Sequence, residues 1–178
     1  MLSPKERILT TAHTLFYKNG FRATGVNQLI SEAGVTKVTF YRHYSSKESL
    51  IRAFLKYRHE RWISWFRETL NKNGRHRDAI VPTLGEWFNS ADFRGCAFIN
   101  ALSELEGQLR DIREIVGLHK QEVVDAIATC LPPSRTRRKD AAAIAIAVDG
   151  AIVRAQYDNS PRQALSALKA VISLIANK

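Results

Sequence analysis

The sequence predicts an all-α protein of about nine helices, on three observations. Apolar residues recur at helical spacing along almost the whole chain, whereas no stretch alternates with period two between hairpin turns. The nine glycines and five prolines fall mostly between the periodic segments, where they start and stop helices. Capping-box patterns recur at Ser3, Ser45 and Ser160, each just ahead of an apolar stripe.

The first helix starts at Ser3-Pro4-Lys5-Glu6, where a serine cap, a proline at the first helical position and a glutamate able to reach back coincide. Ile8, Ala12, Leu15 and Phe16 form its buried stripe, and Asn19-Gly20 ends it. Thr24 is the expected cap of a short helix from about Gly25 to Ala33, and Gly34 breaks it. Thr36 caps a third helix from Lys37 to about Tyr44, and Ser45-Ser46-Lys47-Glu48 opens a fourth that runs to around Asn71. That fourth helix, roughly 38 Å long at 1.5 Å per residue, is apolar on more than one side and so reads as a connector between packed regions. Further helices are expected at 78–90, 94–109, 112–131, 137–158 and 161–176, divided by Asn73-Gly74, Leu131-Pro132-Pro133-Ser134 and Ser160-Pro161.

A length of 178 residues with 45% hydrophobic and 25% charged side chains describes a globular chain with a real core. The longest apolar run, 141–148, is far short of the roughly 20 residues of a membrane span. The amino terminus has no apolar leader, so the expected location is the cytoplasm. Cys96 and Cys130 are too few for a disulfide framework and read as reduced structural thiols. The net charge of +10 favours an anionic partner. Within it, residues 1–60 hold ten Lys/Arg against four Asp/Glu, so the first third is the electrostatic footprint.

Two short helices joined by a glycine turn form a helix-turn-helix, whose second helix can enter the major groove of B-DNA. Residues 25–44 fit this pattern, with Leu29, Ala33, Val35 and Phe40 as the buried side and Thr36, Lys37, Thr39, Arg42 and His43 outside. Lys and Arg reach guanine edges, Thr an edge or a thymine methyl, and His, Tyr and Lys hold phosphates. On spacing alone, the competing reading is a plain helical hairpin with solvated charges.

The stretch GFRATGVNQLISEAGVTKVTFYRHYSSKESL, residues 20–50, closely resembles the signature of the TetR family of bacterial one-component repressors. The shared features are the A-G-V-T-K turn, Phe40-Tyr41, the Tyr44-Ser45 exit and the S-K-E start of the fourth helix; with the first helix the resemblance covers roughly residues 3–60. FRGCAFIN, residues 93–100, also looks like the start of the sixth helix in many members. The resemblance implies a helix-turn-helix DNA-binding domain at 1–48 and a helical ligand-binding and dimerisation domain at 49–178. It implies that Thr24, Tyr41 and Lys47 hold phosphates, and that Thr36, Lys37, Thr39 and His43 lie at base edges and the adjoining backbone; Arg42 joins them on its charge. The chain departs from the family pattern at Ile30, where alanine is usual, and at Val38, where glycine, alanine or proline is common. Ile30 is expected to alter the packing of the short helices, and Val38 to add a thymine-methyl contact or change docking depth.

Family members are homodimers joined by a four-helix bundle of their last two helices, which implies a palindromic operator read by recognition helices about 34–36 Å apart. The interface residues expected here are Ala145, Val148, Ile152, Leu165, Leu168 and Ile172. The expected effector pocket has walls of Trp62, Trp65, Phe66, Trp87, Phe88, Phe98 and Leu102, with Asn100, Glu104, His119 or Gln156 as polar anchors. The effector itself is an unidentified small molecule, and the fourth helix is the expected lever between pocket and headpiece. No cofactor or metal is expected: GxSxG, P-loop and GxGxxG patterns are missing, and His59-Glu60 lacks the second histidine of HExxH. The alternatives are a helical protein-binding adaptor and, behind it, an enzyme. The basic clusters 135–139 and 75–77 read as solvated loops, with a second anion site as their alternative.

Overall fold

The computed structural model describes residues 2–158 and 160–176. Among them the chain forms α1 (Pro4–Asn19), α2 (Val26–Glu32), α3 (Lys37–His43), α4 (Lys47–Lys72), a 3-10 turn (Arg77–Ala79), α5 (Ile80–Phe88), α6 (Ala97–Leu105), α7 (Ile112–Ala128), α8 (Arg137–Tyr157) and α9 (Arg162–Ala176). No strand occurs among the described residues, and no described helix is long and apolar enough to cross a membrane. The chain falls into two compact units, Met1–Glu60 with Ala97–Val116, and Arg61–Cys96 with Gly117–Lys178. This division differs from a boundary at 48/49, because the first half of α4 and all of α6 belong with the headpiece.

In the first unit, the reciprocal cap of α1 is formed. Glu6 N donates to Ser3 Oγ at 3.3 Å and Ser3 N to Glu6 Oε2 at 2.8 Å, and hydrogen bonding to the Ser3 backbone, and then to its side chain, holds the Glu6 carboxyl below its ordinary range. Ile8, Ala12, Leu15 and Phe16 are buried as the 3.6-residue period requires. α1 stops at Gly20, whose φ of 86° is a conformation that an L side chain strains to adopt. The turn brings Phe21 against Phe16 at 5.2 Å, and Phe54 of α4 closes a triangle at 5.6 and 5.5 Å from the two, all three rings being buried.

Two caps differ from expectation. Thr24 does not cap α2: it is fully buried, and its hydroxyl donates to Gly20 O at 2.8 Å, leaving Gly25 as a cap without a side chain. At α4 the reciprocal pair is Ser46 with Ser49, rather than Ser45 with Glu48, with amide-to-hydroxyl distances of 3.2 and 3.1 Å. α6 is also shorter than expected, bracketed by Gly95 (φ 77°) and Gly107 (φ 85°). At Gly95 the positive φ strains any L side chain, and a Cβ there would lie 2.2 Å from the Gln156 amide, which would have to move aside.

The second unit is built on the α8–α9 hairpin, with α5 against α9. Ile144, Val148 and Ile152 of α8 and Leu168 and Ile172 of α9 are buried. Lys120 of α7 reaches Asp149 of α8 at 2.6 Å, and Arg67 of α4 reaches Glu122 of α7 at 3.0 Å. Both cysteines are buried thiols.

Because Phe54 closes the ring triangle from a third element, Phe54→Ala is expected to lower unfolding free energy by about 3–5 kcal/mol. Urea titration followed by far-ultraviolet circular dichroism measures this as a lower midpoint with an unchanged slope.

Candidate nucleic-acid interface

The α2–α3 turn is set by Gly34 at φ 61°, which lets Val35 N return to Ile30 O at 3.2 Å. Thr36 then caps α3, accepting from Thr39 N at 3.1 Å while the two hydroxyls bond at 2.9 Å. Phe40 is completely buried and fixes the rotation of the helix. At 100° per residue, Val38 and Arg42 lie on the side opposite Phe40, with Lys37, Tyr41 and His43 on the flanks. Val38 is 69% and Tyr41 43% exposed, and Thr36, Lys37, Arg42 and His43 are exposed while Thr39 is half-buried. No acidic residue occurs between Gly34 and Lys47, so this surface carries only positive formal charge. An aliphatic group ringed by donors suits a groove floor that offers both acceptors and thymine methyls.

Of the expected phosphate ligands, Thr24 is placed differently. The Thr24 hydroxyl is turned inward, donating to Gly20 O from a fully buried position. Lys47 is half-buried, and burial pulls its ammonium pKa down while Glu48 and Glu104 push it back up. Tyr44, behind α3, is buried, which raises its phenol pKa, and its hydroxyl has no partner among the described residues.

The Glu104 carboxylate, expected as an effector anchor, instead accepts Phe21 N at 2.8 Å and Arg22 N at 2.9 Å. Arg22 Nε donates to Glu104 O at 2.8 Å, so α6 clamps the α1–α2 turn from both sides of the peptide. Arg52 and Asp111 form a two-toothed pair at 2.8 and 2.9 Å within the same unit. Neither link shows in sequence, because partners more than fifty residues apart leave no local pattern.

The remaining pocket residues divide between the units. Trp62, Phe66, Trp87 and Phe88 are buried in the second, with Trp62 stacked on Phe66 at 4.8 Å, edge-on to Trp87 at 5.3 Å and 5.5 Å from the His119 ring. Trp65 is half-buried at the edge of this cluster, 6.5 Å from Trp87. Phe98, Asn100 and Leu102 lie in the first unit, Phe98 buried near His59. The Trp62 indole N–H is buried with no acceptor among the described residues.

The expected dimer residues also have another task. Ala145, Val148, Ile152, Leu168 and Ile172 are buried within the single chain, and Leu165 is half-buried beside Gly85 of α5. What α8 and α9 leave exposed is a different stripe: Ile146, Val153 and Tyr157, with Val171 and Leu174. Among the described residues, no group of three or more His, Cys, Asp and Glu side chains converges as a metal site.

Residues 8–54 match the family model described as bacterial regulatory proteins, tetR family. The chain is 44% identical over 57 residues to the HTH-type transcriptional regulator YerO of Bacillus subtilis, covering 32% of this chain and 20% of YerO. It is 25% identical over 136 residues to the HTH-type transcriptional repressor NemR of Escherichia coli, covering 74% of this chain and 68% of NemR. Among solved structures, SCO4454, a TetR-family transcriptional regulator from Streptomyces coelicolor, superposes with a TM-score of 0.83 at 24% identity, over 97% of this chain and 96% of that one. That likeness establishes the fold. The matching proteins are named as regulators and repressors, not as enzymes.

The Arg52 hydrogen bonds hold the Asp111 carboxyl below its ordinary range. A depressed folded value means that the pair stabilises above the unfolded pKa and loses this as pH falls through the folded one. Asp111→Asn is therefore expected to lower Tm near pH 7, with the difference from the parent narrowing below about pH 4. A Tm difference constant from pH 7 to pH 3 contradicts this.

Proposed function

We propose that the chain is a member of the TetR family of bacterial regulatory proteins, whose model its residues 8–54 match, and a ligand-responsive transcriptional regulator, a repressor that holds a palindromic operator as a homodimer in the cytoplasm. The observation that carries this reading is α3: a helix locked by one buried ring, with Lys37, Val38, Tyr41, Arg42 and His43 outward and no acidic residue among them. Lys37 and Arg42 address guanine edges or phosphates, Val38 a thymine methyl, Tyr41 and His43 the backbone, and Thr36 and Thr39 base edges at the amino end. Thr24 supports the headpiece from inside rather than touching phosphate.

Dimerisation uses the apolar stripe that the single chain leaves exposed, Ile146, Val153 and Tyr157 of α8 with Val171 and Leu174 of α9. An apolar patch on two packed helices is what a self-complementary two-fold contact needs. The effector site lies at the aromatic cluster of the second unit, where the unpaired Trp62 N–H calls for a ligand with a hydrogen-bond acceptor. An effector that favours a conformer with mis-spaced recognition helices weakens DNA binding by the same factor that DNA weakens effector binding.

Sheared genomic DNA retained by the protein at about 0.15 M salt, where non-specific binding is weak, is expected to share a palindrome; folded, ligand-free protein that enriches nothing refutes the reading. Lys37→Ala is expected to weaken operator binding and to flatten the dependence of log affinity on log salt by about one unit if its contact is to phosphate. Ile146→Asp with Leu174→Asp is expected to give a monomer in light scattering and to abolish palindrome binding; an unchanged dimer places the interface elsewhere.

A further inference from the structure

The second unit contains a cavity of about 830 Å³, within the size range of small-molecule sites. Its rim joins two segments far apart in sequence, the turn after α4 and the connection from α7 to α8. These are the two basic clusters that read from sequence as separate solvated loops. Arg75 and Arg77 come from the first and Arg137 and Lys139 from the second, against two acids, Asp78 and Asp140. The floor is apolar, with Leu131, Ile144 and Ile175 beside Cys130, whose thiol burial keeps protonated.

The cations differ in their commitments. Arg77 is paired with Asp78 at 3.3 Å, and the neighbouring Arg138, outside the cavity, is paired with Asp125 at 2.7 Å. Among the described residues Arg75, Arg137 and Lys139 form no ion pair. Arg75 also has a φ of 50°, a left-handed conformation that glycine or asparagine would adopt at lower cost. α8 begins at this rim from Thr136, whose side chain makes no cap bond, so its amide end adds to the positive potential that the side chains create. Cations without an acidic partner among the described residues, set around an apolar chamber, are matched by a molecule with an anionic head and an apolar body.

We infer that this cavity is a binding site for a small organic anion, a carboxylate, sulfonate or phosphate on an apolar body, separate from the Trp62 cluster. The inference does not depend on DNA binding. The apolar floor favours such a molecule over a bare phosphate, which would leave the chamber empty.

The probe is 1-anilinonaphthalene-8-sulfonate, whose fluorescence rises in apolar surroundings. Its neutral counterpart, N-phenyl-1-naphthylamine, has the same rings without the sulfonate. The parent protein is expected to bind the sulfonate saturably. Arg137→Gln with Lys139→Gln is expected to weaken it at least tenfold, whereas Arg137→Lys with Lys139→Arg retains binding. Arg75→Gly gives an independent readout: it relieves the left-handed backbone, so Tm is expected to hold or rise while sulfonate affinity falls. A purely structural role for Arg75 would leave that affinity unchanged. No saturable binding by the parent, equal affinity in the parent and the glutamine variant, or equal binding of the neutral probe overturns the inference.

Discussion

The packing of Phe16, Phe21 and Phe54 is the constraint on which the rest of the first unit depends. The rings come from the end of α1, the turn after it and the first half of α4, so their burial sets where all three chain segments meet. The positive φ of Gly20 is needed for the chain to turn sharply enough to bring Phe21 back. Once α1 is placed, α2 and α3 have one surface on which to bury Leu29 and Phe40, since both short helices pack against α1. The outward face of α3 is thus determined by what its inward face must hide.

Polar links complete what the rings begin. A carboxylate accepting two successive backbone amides, as Glu104 does from Phe21 and Arg22, resists rotation of that peptide more than a single bond would. Through it α6 becomes part of the headpiece's support, which explains why the compact unit includes residues 97–116. Acidic residues are kept off α3 itself, where their charge would oppose an anionic partner.

In the second unit, the same economy of apolar surface separates two roles on one pair of helices. α8 and α9 use Ile144, Val148, Ile152, Leu168 and Ile172 to hold each other, and the apolar residues left over face outward. Aromatic side chains at 62, 66, 87 and 88 fill the core and leave one indole donor unsatisfied, a cost that a hydrogen-bonding ligand would remove.

Read alone, the sequence determined the all-α class, nearly every helix and the composition of α3's outer face, because capping residues, glycine stops and 3.6-residue periodicity act over a few neighbours. Ser3 with Glu6, and Thr36 with Thr39, are such local matters, and the helix-turn-helix pattern lies within thirty consecutive residues. Only the tertiary structure decided the inward turn of Thr24, the clamp by Glu104, the division of α8 between core and exposed stripe, and the meeting of Arg75 with Arg137. Each depends on which distant surface reaches a side chain first. Periodicity shows that a helix has an apolar face; it does not show which neighbour covers it. A basic cluster likewise looks the same in sequence whether it faces solvent alone or shares a cavity with another.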